Sequence, residues 1–333
     1  MAIKVGVNGF GRIGRYFTRI ALKNSNIEIV AINDLAPVKT LAHLLKYDSV
    51  HGRFQGTIST TENEIVADGK KIKIVSHKNP IEIPWKELGV DIVVESTGLF
   101  LSREKASAHL QAGAKKVILS APPDSADIKA IVMGVNDTIL DGSEDIISNA
   151  SCTTNSAAPL VAVMKKLGKI ESCYITTVHS YTTDQRLHDA PHKDLRRARA
   201  AAESIVPTTT GAAKAITKIF PELEGKMGGC GMRVPVPDGS ITDMTFNMDR
   251  ELTVEEINRA FKFAAENELK GIMDYTTDPI VSVDILGCPF SATFDADLTS
   301  TIGKMIKVVS WYDNEAGYSN RLVDLILKVS SHH

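Results

Sequence analysis

The sequence predicts an α/β protein in two parts, and three observations carry that reading. Apolar runs at residues 91–98, 116–120 and 130–134 lie between helical or loop segments, as buried parallel strands do. A glycine-rich turn joins the first strand candidate to a helical stretch. After Cys152 the pattern changes to longer strands of alternating character, which suggest a mostly antiparallel sheet and a boundary near residue 150. At 333 residues the chain is long enough for two domains with separate cores.

Composition narrows the class. With 43% hydrophobic and 23% charged residues and a net charge of −2, the chain reads as an ordinary soluble protein, without a disorder signature or bulk basic charge for nucleic acid. No apolar run reaches the ~18 residues of a membrane span, and the N-terminus enters a strand without a signal-like segment, so a cytoplasmic location is expected. Cys152, Cys173, Cys230 and Cys288 are widely spaced without a CxxC, so neither a disulfide scaffold nor a metal site is expected. The terminal Ser331-His332-His333 has the look of a tag remnant and carries no argument.

Taken in order, Ile3-Lys4-Val5-Gly6-Val7 is a strand candidate followed by Gly9-Phe10-Gly11-Arg12-Ile13-Gly14. Residues 15–23 then read as a helix, and residues 27–32 as a second strand ending at Asn33-Asp34. In such a βαβ unit Gly9 allows the tight turn, Gly11 lets backbone approach a pyrophosphate, and Gly14 lets helix lie on strand. The helix N-terminus holds the phosphates. Asp34, about 20 residues beyond Gly14, can accept the ribose hydroxyls of an adenosine. Dinucleotide binding is the reading. Around Asp68-Gly69 the alternation signals a hairpin. Ser96-Thr97-Gly98 and Ser120-Ala121-Pro122 end strands where open sheets bind ligands, or are plain turns.

Ala150-Ser151-Cys152-Thr153-Thr154-Asn155 follows the apolar run Ile146-Ile147-Ser148 and precedes a helical stretch. A helix N-terminus favours thiolate, so Cys152 is placed to be a nucleophile with a lowered pKa. Beyond it, residues 172–179, 232–236 and 242–248 read as strands, the last with Met244, Phe246 and Met248 on one face. Thr253-Val254-Glu255-Glu256 is a capping box opening a helix, residues 304–313 form a final strand, and residues 320–329 a final helix. His179 is a core residue or, if the fold brings it to Cys152, a base. Residues 184–204 are rich in cations, including Arg186, His188, His192, Lys193, Arg196, Arg197 and Arg199. The segment is a solvated or subunit-bridging loop, or with Thr208-Thr209-Thr210-Gly211 an anion site.

The glycine fingerprint, residues 150–155, and Thr177-Val178-His179-Ser180-Tyr181-Thr182 together resemble phosphorylating glyceraldehyde-3-phosphate dehydrogenases. So do residues 192–197, 208–213 and Trp311-Tyr312-Asp313-Asn314-Glu315, and the resemblance runs from residue 2 to about residue 330. It implies a Rossmann-type NAD-binding domain of residues 1–151 and 315–333, a catalytic domain of residues 152–314, and a homotetramer. By the same resemblance Cys152 is the nucleophile and His179 its base. Ser151, Thr153, Thr182, Arg197, Thr210, Gly211 and Arg233 hold the substrate phosphate and the attacking inorganic phosphate. Gly9, Gly11, Arg12, Ile13, Gly14, Asp34, Lys78, Ser120 and Asn314 contact NAD, Asn314 near the nicotinamide amide.

Three positions depart from commoner members of that family: Ser156 replaces a second cysteine, Lys78 an arginine, and Ala190-Pro191 a Leu-Pro. The activity implied is oxidation of D-glyceraldehyde 3-phosphate with NAD and inorganic phosphate to 1,3-bisphosphoglycerate, a glycolytic step through a thioester on Cys152. Alternatives are an erythrose-4-phosphate dehydrogenase of the same architecture, or an NAD-sensing or RNA-binding protein with a dormant site.

Overall fold

The structure, a computed structural model, describes residues 2–331; His332 and His333 of the tag-like terminus lie outside them. The chain divides into two compact units. One gathers the residues up to Ile131, Asp137–Ser151 and the segment from Ser319; the other holds Val132–Asn136 and Cys152–Tyr318.

The first unit is built on a nine-stranded sheet. From edge to edge its strands are Ile58–Thr60, Glu64–Ala67, Lys70–Val75, Ile27–Asn33, Ile3–Asn8, Ile92–Glu95, Lys116–Leu119, Ile146–Ser148 and Lys129–Ala130. From Lys70–Val75 onward every pairing is parallel, while the Asp68-Gly69 hairpin adds an antiparallel end. Asp68 and Gly69 both take positive φ, 48° and 79°, as a two-residue hairpin turn with right-handed strand twist requires. Val5, Val7, Ile92, Val93, Val94, Val117, Ile118 and Leu119 are all buried, so both faces of these strands are covered. That is why the strands read as continuous apolar runs rather than alternations.

The expected strand at residues 130–134 is shorter than its composition suggests. Pairing stops at Lys129–Ala130, and Asn136 Oδ1 accepts the Val132 N–H at 2.7 Å, closing a turn. The first helix is Arg12–Ala21 and the last Ala316–Ser330, each beginning several residues before its apolar periodicity does. Helix starts are made by backbone and caps, and those positions carry no apolar stripe.

Strand Ile3–Asn8 has Ile27–Asn33 on one side and Ile92–Glu95 on the other, so the strand order reverses there and its carboxyl end is a switch point where open α/β sheets bind ligands. Gly9 sits there with φ +91°. A Cβ on Gly14 would lie 2.2 Å from the Gly9 carbonyl oxygen, whereas one on Gly11 would meet nothing within 4 Å. The turn is therefore closed on its protein side and open at Gly11.

The second unit carries an eight-stranded sheet that is antiparallel apart from two parallel pairs. Strand Ile170–Ser180 lies parallel to Met227–Val234 and antiparallel to Ser240–Met248, which pairs in turn with Met305–Tyr312. Met244, Phe246 and Met248 are fully buried, as the alternation predicts. Helix Cys152–Leu167 packs on four strands of this sheet, and its residues from Thr153 to Val161 are buried almost without interruption. The Thr253 hydroxyl accepts the Glu256 N–H at 3.1 Å and caps helix Val254–Glu266.

The glycine geometry makes a paired expectation. Gly14→Ala should lower the free energy of unfolding by about 1–3 kcal/mol through overpacking. Gly11→Ala should change it by less than about 1 kcal/mol. Urea unfolding of both variants checks this; equal losses would contradict the open geometry at Gly11.

Candidate active site

Cys152 is the first residue of its helix, and the chain enters it through Ala150, whose φ of +53° is rare for a residue with a Cβ. Parallel pairing sets His179 beside Arg233 near the carboxyl end of strand Ile170–Ser180. Helix start and strand end meet: Cys152 Sγ and His179 Nε2 are 3.4 Å apart. The ring is 6% exposed and stands edge-on to Tyr312 at 6.0 Å between centroids. Of its two sequence readings, the structure gives His179 the neighbour a base needs.

On the far side of the ring, His179 Nδ1 lies 2.8 Å from the Ser180 carbonyl oxygen, and Arg233 Nη1 is bonded to Nδ1 and, at 3.0 Å, to the same carbonyl. Arginine has no acceptor, so its N–H against Nδ1 requires a lone pair there, which puts the ring proton on Nε2, facing sulfur. With the ring turned to the carbonyl instead, Nδ1 carries the proton and Nε2 accepts from the thiol. The two tautomers differ in which ring nitrogen carries the proton, and only the second presents Nε2 to the thiol as an acceptor.

Charge in this pocket runs against the expectation of a lowered thiol pKa. Burial pushes the Cys152 thiol up, opposed by the positive Arg233 and by hydrogen bonds from Thr153. Burial, with Arg233 adding to it, pushes the His179 imidazole down from 6.5 to about 3. Burial also lowers the Arg233 guanidinium. Both shifts favour the uncharged forms, thiol and imidazole, with the ring buried and Cys152 itself only partly buried.

Thr153, expected to bind phosphate, turns its hydroxyl to Tyr312 OH at 2.9 Å, and the same phenol meets Thr177 Oγ1 at 2.9 Å. Arg197 is held by Thr208 Oγ1, 3.1 Å from Nε and 2.8 Å from Nη2, and by an ion pair with Asp184. It is close enough to His179 and Arg233 to depress both by charge. Thr210 Oγ1 accepts the Ala212 N–H at 3.2 Å where helix Ala212–Ile219 begins after Gly211. The Thr182 N–H points to Gln185 Oε1 at 3.4 Å. Ser151, next to the nucleophile, is partly buried. Within the cationic loop Arg199 pairs with Asp189 at 2.9 Å, and Arg186 Nε bonds the Pro191 carbonyl at 3.0 Å. Thr208 and Asp184 were missed as partners of Arg197; their hydroxyl and carboxylate chemistry was visible, their convergence was not.

In the first unit, Asp34 accepts the Phe10 N–H at 2.8 Å and the Ala36 N–H at 2.9 Å, so the acid is bonded into the glycine turn. Arg12 pairs with Asp48 at 2.7 Å, Ile13 is partly buried beside it, and Lys78 is exposed. The Ser120 N–H bonds the Glu95 carbonyl at 2.9 Å, which fixes the end of its strand. Beneath the turn the Glu95 carboxylate, fully buried, accepts from Asn8 at 2.5 Å, His109 at 3.0 Å and the Thr97 N–H at 2.8 Å. In the second unit Asn314, 6% exposed, has its side-chain oxygen bonded by Ser180 and Ser240.

Residues 151–314 match the family model of the glyceraldehyde 3-phosphate dehydrogenase C-terminal domain, and residues 3–103 match that family's NAD binding domain. The chain is 58% identical over 333 residues to a glyceraldehyde-3-phosphate dehydrogenase of Geobacillus stearothermophilus, covering 99% of both chains. It is 58% identical over 332 residues to that of Thermotoga maritima, covering 98% of this chain and 99% of the relative. With glyceraldehyde-3-phosphate dehydrogenase 1 of Bacillus subtilis the identity is 54% over 327 residues, covering 98% and 97%.

The depressed His179 has a consequence for stability. A ring neutral in the folded state and protonated in the unfolded one contributes fully above pH 6.5, and that contribution is lost as pH falls from 6.5 toward 3. His179→Asn should flatten the pH dependence of unfolding free energy in that window by up to one proton, about 1.4 kcal/mol per pH unit. Urea unfolding at pH 5 and pH 7 measures it; an unchanged slope would mean His179 titrates normally.

Proposed function

The chain belongs to the glyceraldehyde 3-phosphate dehydrogenase family, and from that premise we propose that it oxidises D-glyceraldehyde 3-phosphate, with NAD and inorganic phosphate, to 1,3-bisphosphoglycerate. The observation that carries this is the Cys152–His179 contact of 3.4 Å at a helix start. We assign dinucleotide binding to residues 1–151 with 315–333 and the chemistry to residues 152–314. The names of the relatives favour the triose over a four-carbon aldehyde.

The residues of the first unit fit the dinucleotide end of NAD, since the turn is bare at Gly11 and Asp34 is bonded to it through the Phe10 N–H; within the second unit, taken by itself, Asn314 offers amide N–H groups. When bound, the nicotinamide supplies the hydride acceptor. The protein supplies the rest. His179 Nε2 takes the thiol proton as Cys152 Sγ bonds to the aldehyde carbon and returns it to the carbonyl oxygen, giving a hemithioacetal. The same nitrogen takes the hydroxyl proton as hydride leaves, so the carbon becomes a thioester on Cys152. A phosphate oxygen then attacks the acyl carbon, and Cys152 leaves as thiolate. Arg233 stands beside this centre and favours the thiolate through its charge. We assign Arg197, with Thr208, Thr210 and Gly211, to the inorganic phosphate, and Thr182 and Arg233 to the substrate phosphate. Arg197 would take a phosphate by exchanging its bonds to the Thr208 hydroxyl or the Asp184 carboxylate for phosphate oxygens, to which its planar fork can donate in pairs.

A homotetramer in the cytoplasm belongs to the same reading. Leu187, Leu195 and Ile205 are 76%, 81% and 66% exposed on and beside the cationic loop, an apolar surface that a neighbouring subunit would cover. No helix among the described residues is long and apolar enough to cross a membrane.

NADH absorbance with glyceraldehyde 3-phosphate, with and without inorganic phosphate, tests the proposal. Cys152→Ser should abolish phosphate-dependent turnover while NAD still binds; turnover in that variant would overturn the assignment. Arg197→Ala should cost roughly 1.5–3 kcal/mol in kcat/KM for phosphate. An equal loss in the single-turnover NADH burst, which needs no inorganic phosphate, would place it in the fold instead.

Cofactor choice gives a second test. Asp34 should favour NAD over NADP by roughly tenfold to a hundredfold in kcat/KM, the worth of a charge-assisted hydrogen bond to the ribose. Equal use of both cofactors would show that the room made by Ala190 outweighs the acid.

A further inference from the structure

Three strand ends converge where Asn314 sits. Strand Ile170–Ser180 finishes there, Ser240–Met248 begins there, and Asn314 follows strand Met305–Tyr312 by two residues. The backbone on its N-terminal side is pinned by Asp313, whose carboxylate accepts the Glu315 N–H at 2.8 Å, the Ala316 N–H at 2.7 Å and the Gly287 N–H at 2.7 Å. Asn314 therefore has a fixed Cα, and the remaining freedom is which way its amide faces.

Two hydroxyls decide that. Ser180 Oγ donates to Asn314 Oδ1 at 2.9 Å and Ser240 Oγ donates to the same oxygen at 2.8 Å. Ser180 is 0% and Ser240 1% exposed, so neither hydroxyl proton has water as an alternative. Ser240 Oγ also accepts the Ser180 N–H at 3.1 Å, which locks the two serines together. Turning the amide over would set Nδ2 against both hydroxyls and leave two buried protons without an acceptor, an arrangement folded proteins avoid. The amide oxygen is thus committed inward with both lone pairs filled, and Nδ2 is the end left to donate.

We propose that Ser180 and Ser240 are positioning residues for the cofactor: they fix the Asn314 amide so that it meets a nicotinamide carboxamide only as a donor, and so select the ring orientation that offers it the carbonyl. The proposal rests on the NAD-dependent reading above and adds to it the two residues that set Asn314. Ser180 has a second attachment, since its carbonyl oxygen holds His179 Nδ1 at 2.8 Å and Arg233 Nη1 at 3.0 Å. One residue thereby ties the base that takes the substrate proton to the amide that orients the hydride acceptor.

Calorimetric titration of the full-length protein with NAD and with ADP-ribose separates the possibilities. ADP-ribose keeps the adenosine, both phosphates and both riboses but lacks the nicotinamide. In the Ser180→Ala/Ser240→Ala double variant the Kd for NAD should rise about tenfold, the effect of one hydrogen bond lost from a defined geometry. The Kd for ADP-ribose should match wild type, which also reports that the variant is folded. Ser240→Ala alone should fall between, since one hydroxyl still holds the amide oxygen. Wild-type NAD affinity in the double variant would overturn the proposal. So would equal weakening of NAD and ADP-ribose, because the serines would then support the fold and not the nicotinamide end. A wild-type protein that binds neither probe would instead sink the NAD-dependent reading itself.

Discussion

The contact between Cys152 Sγ and His179 Nε2 is the constraint on which the second unit depends. One atom opens a helix and the other lies near the end of a strand, so their 3.4 Å separation holds only if the whole helix is seated on the sheet. Helix Cys152–Leu167 achieves this by packing on strands Ile170–Ser180, Ser240–Met248, Ala292–Asp295 and Met305–Tyr312. Ser156, one turn beyond the sulfur, shows how close the fit is. Its hydroxyl joins Thr242 at 2.9 Å and Ser310 at 3.1 Å, two strands at once. A polar residue survives in that interior because its hydrogen bonds are complete.

That seating also sets the charge state. Burial raises the thiol and lowers the imidazole, which favours the uncharged forms. Arg233 acts on both with opposite value for catalysis, assisting a thiolate and opposing an imidazolium. A neutral base beside a thiol can accept a proton as soon as the sulfur gains a bond to carbon. On the proposed function, activation of the sulfur would then coincide with the arrival of the substrate.

What could be read from the sequence was what depends on neighbours in the chain. The Gly9 turn, the Asp68-Gly69 hairpin, the Thr253 cap and the buried face at Met244, Phe246 and Met248 follow from local spacing, and the structure has each of them. The position of His179 could be read only through family resemblance, because residues far apart in sequence become neighbours through sheet register. The serines around Asn314 were unreadable for the same reason, being separated from it by more than a whole strand. The opposing effect of burial on the Cys152 thiol was not legible, because a helix terminus is a local signal whereas burial is set by everything packed around it. The strand at residues 130–134 was overextended because apolar composition does not reveal the Asn136 side chain that turns the chain away.

On the cofactor reading proposed above, Asp34 bears on how readily such a protein could change its cofactor over evolutionary time. Its two carboxylate oxygens are both engaged by backbone, one with Phe10 inside the glycine turn and one with Ala36 beyond the strand. A mutation that removes the acid to admit an extra phosphate also unties the turn from the second strand. The first step toward a new cofactor would lower the affinity for every dinucleotide, old and new. A lineage making that exchange would need a substitute donor-bearing side chain or a tighter turn already in place, so the accessible mutational routes are few and their order matters.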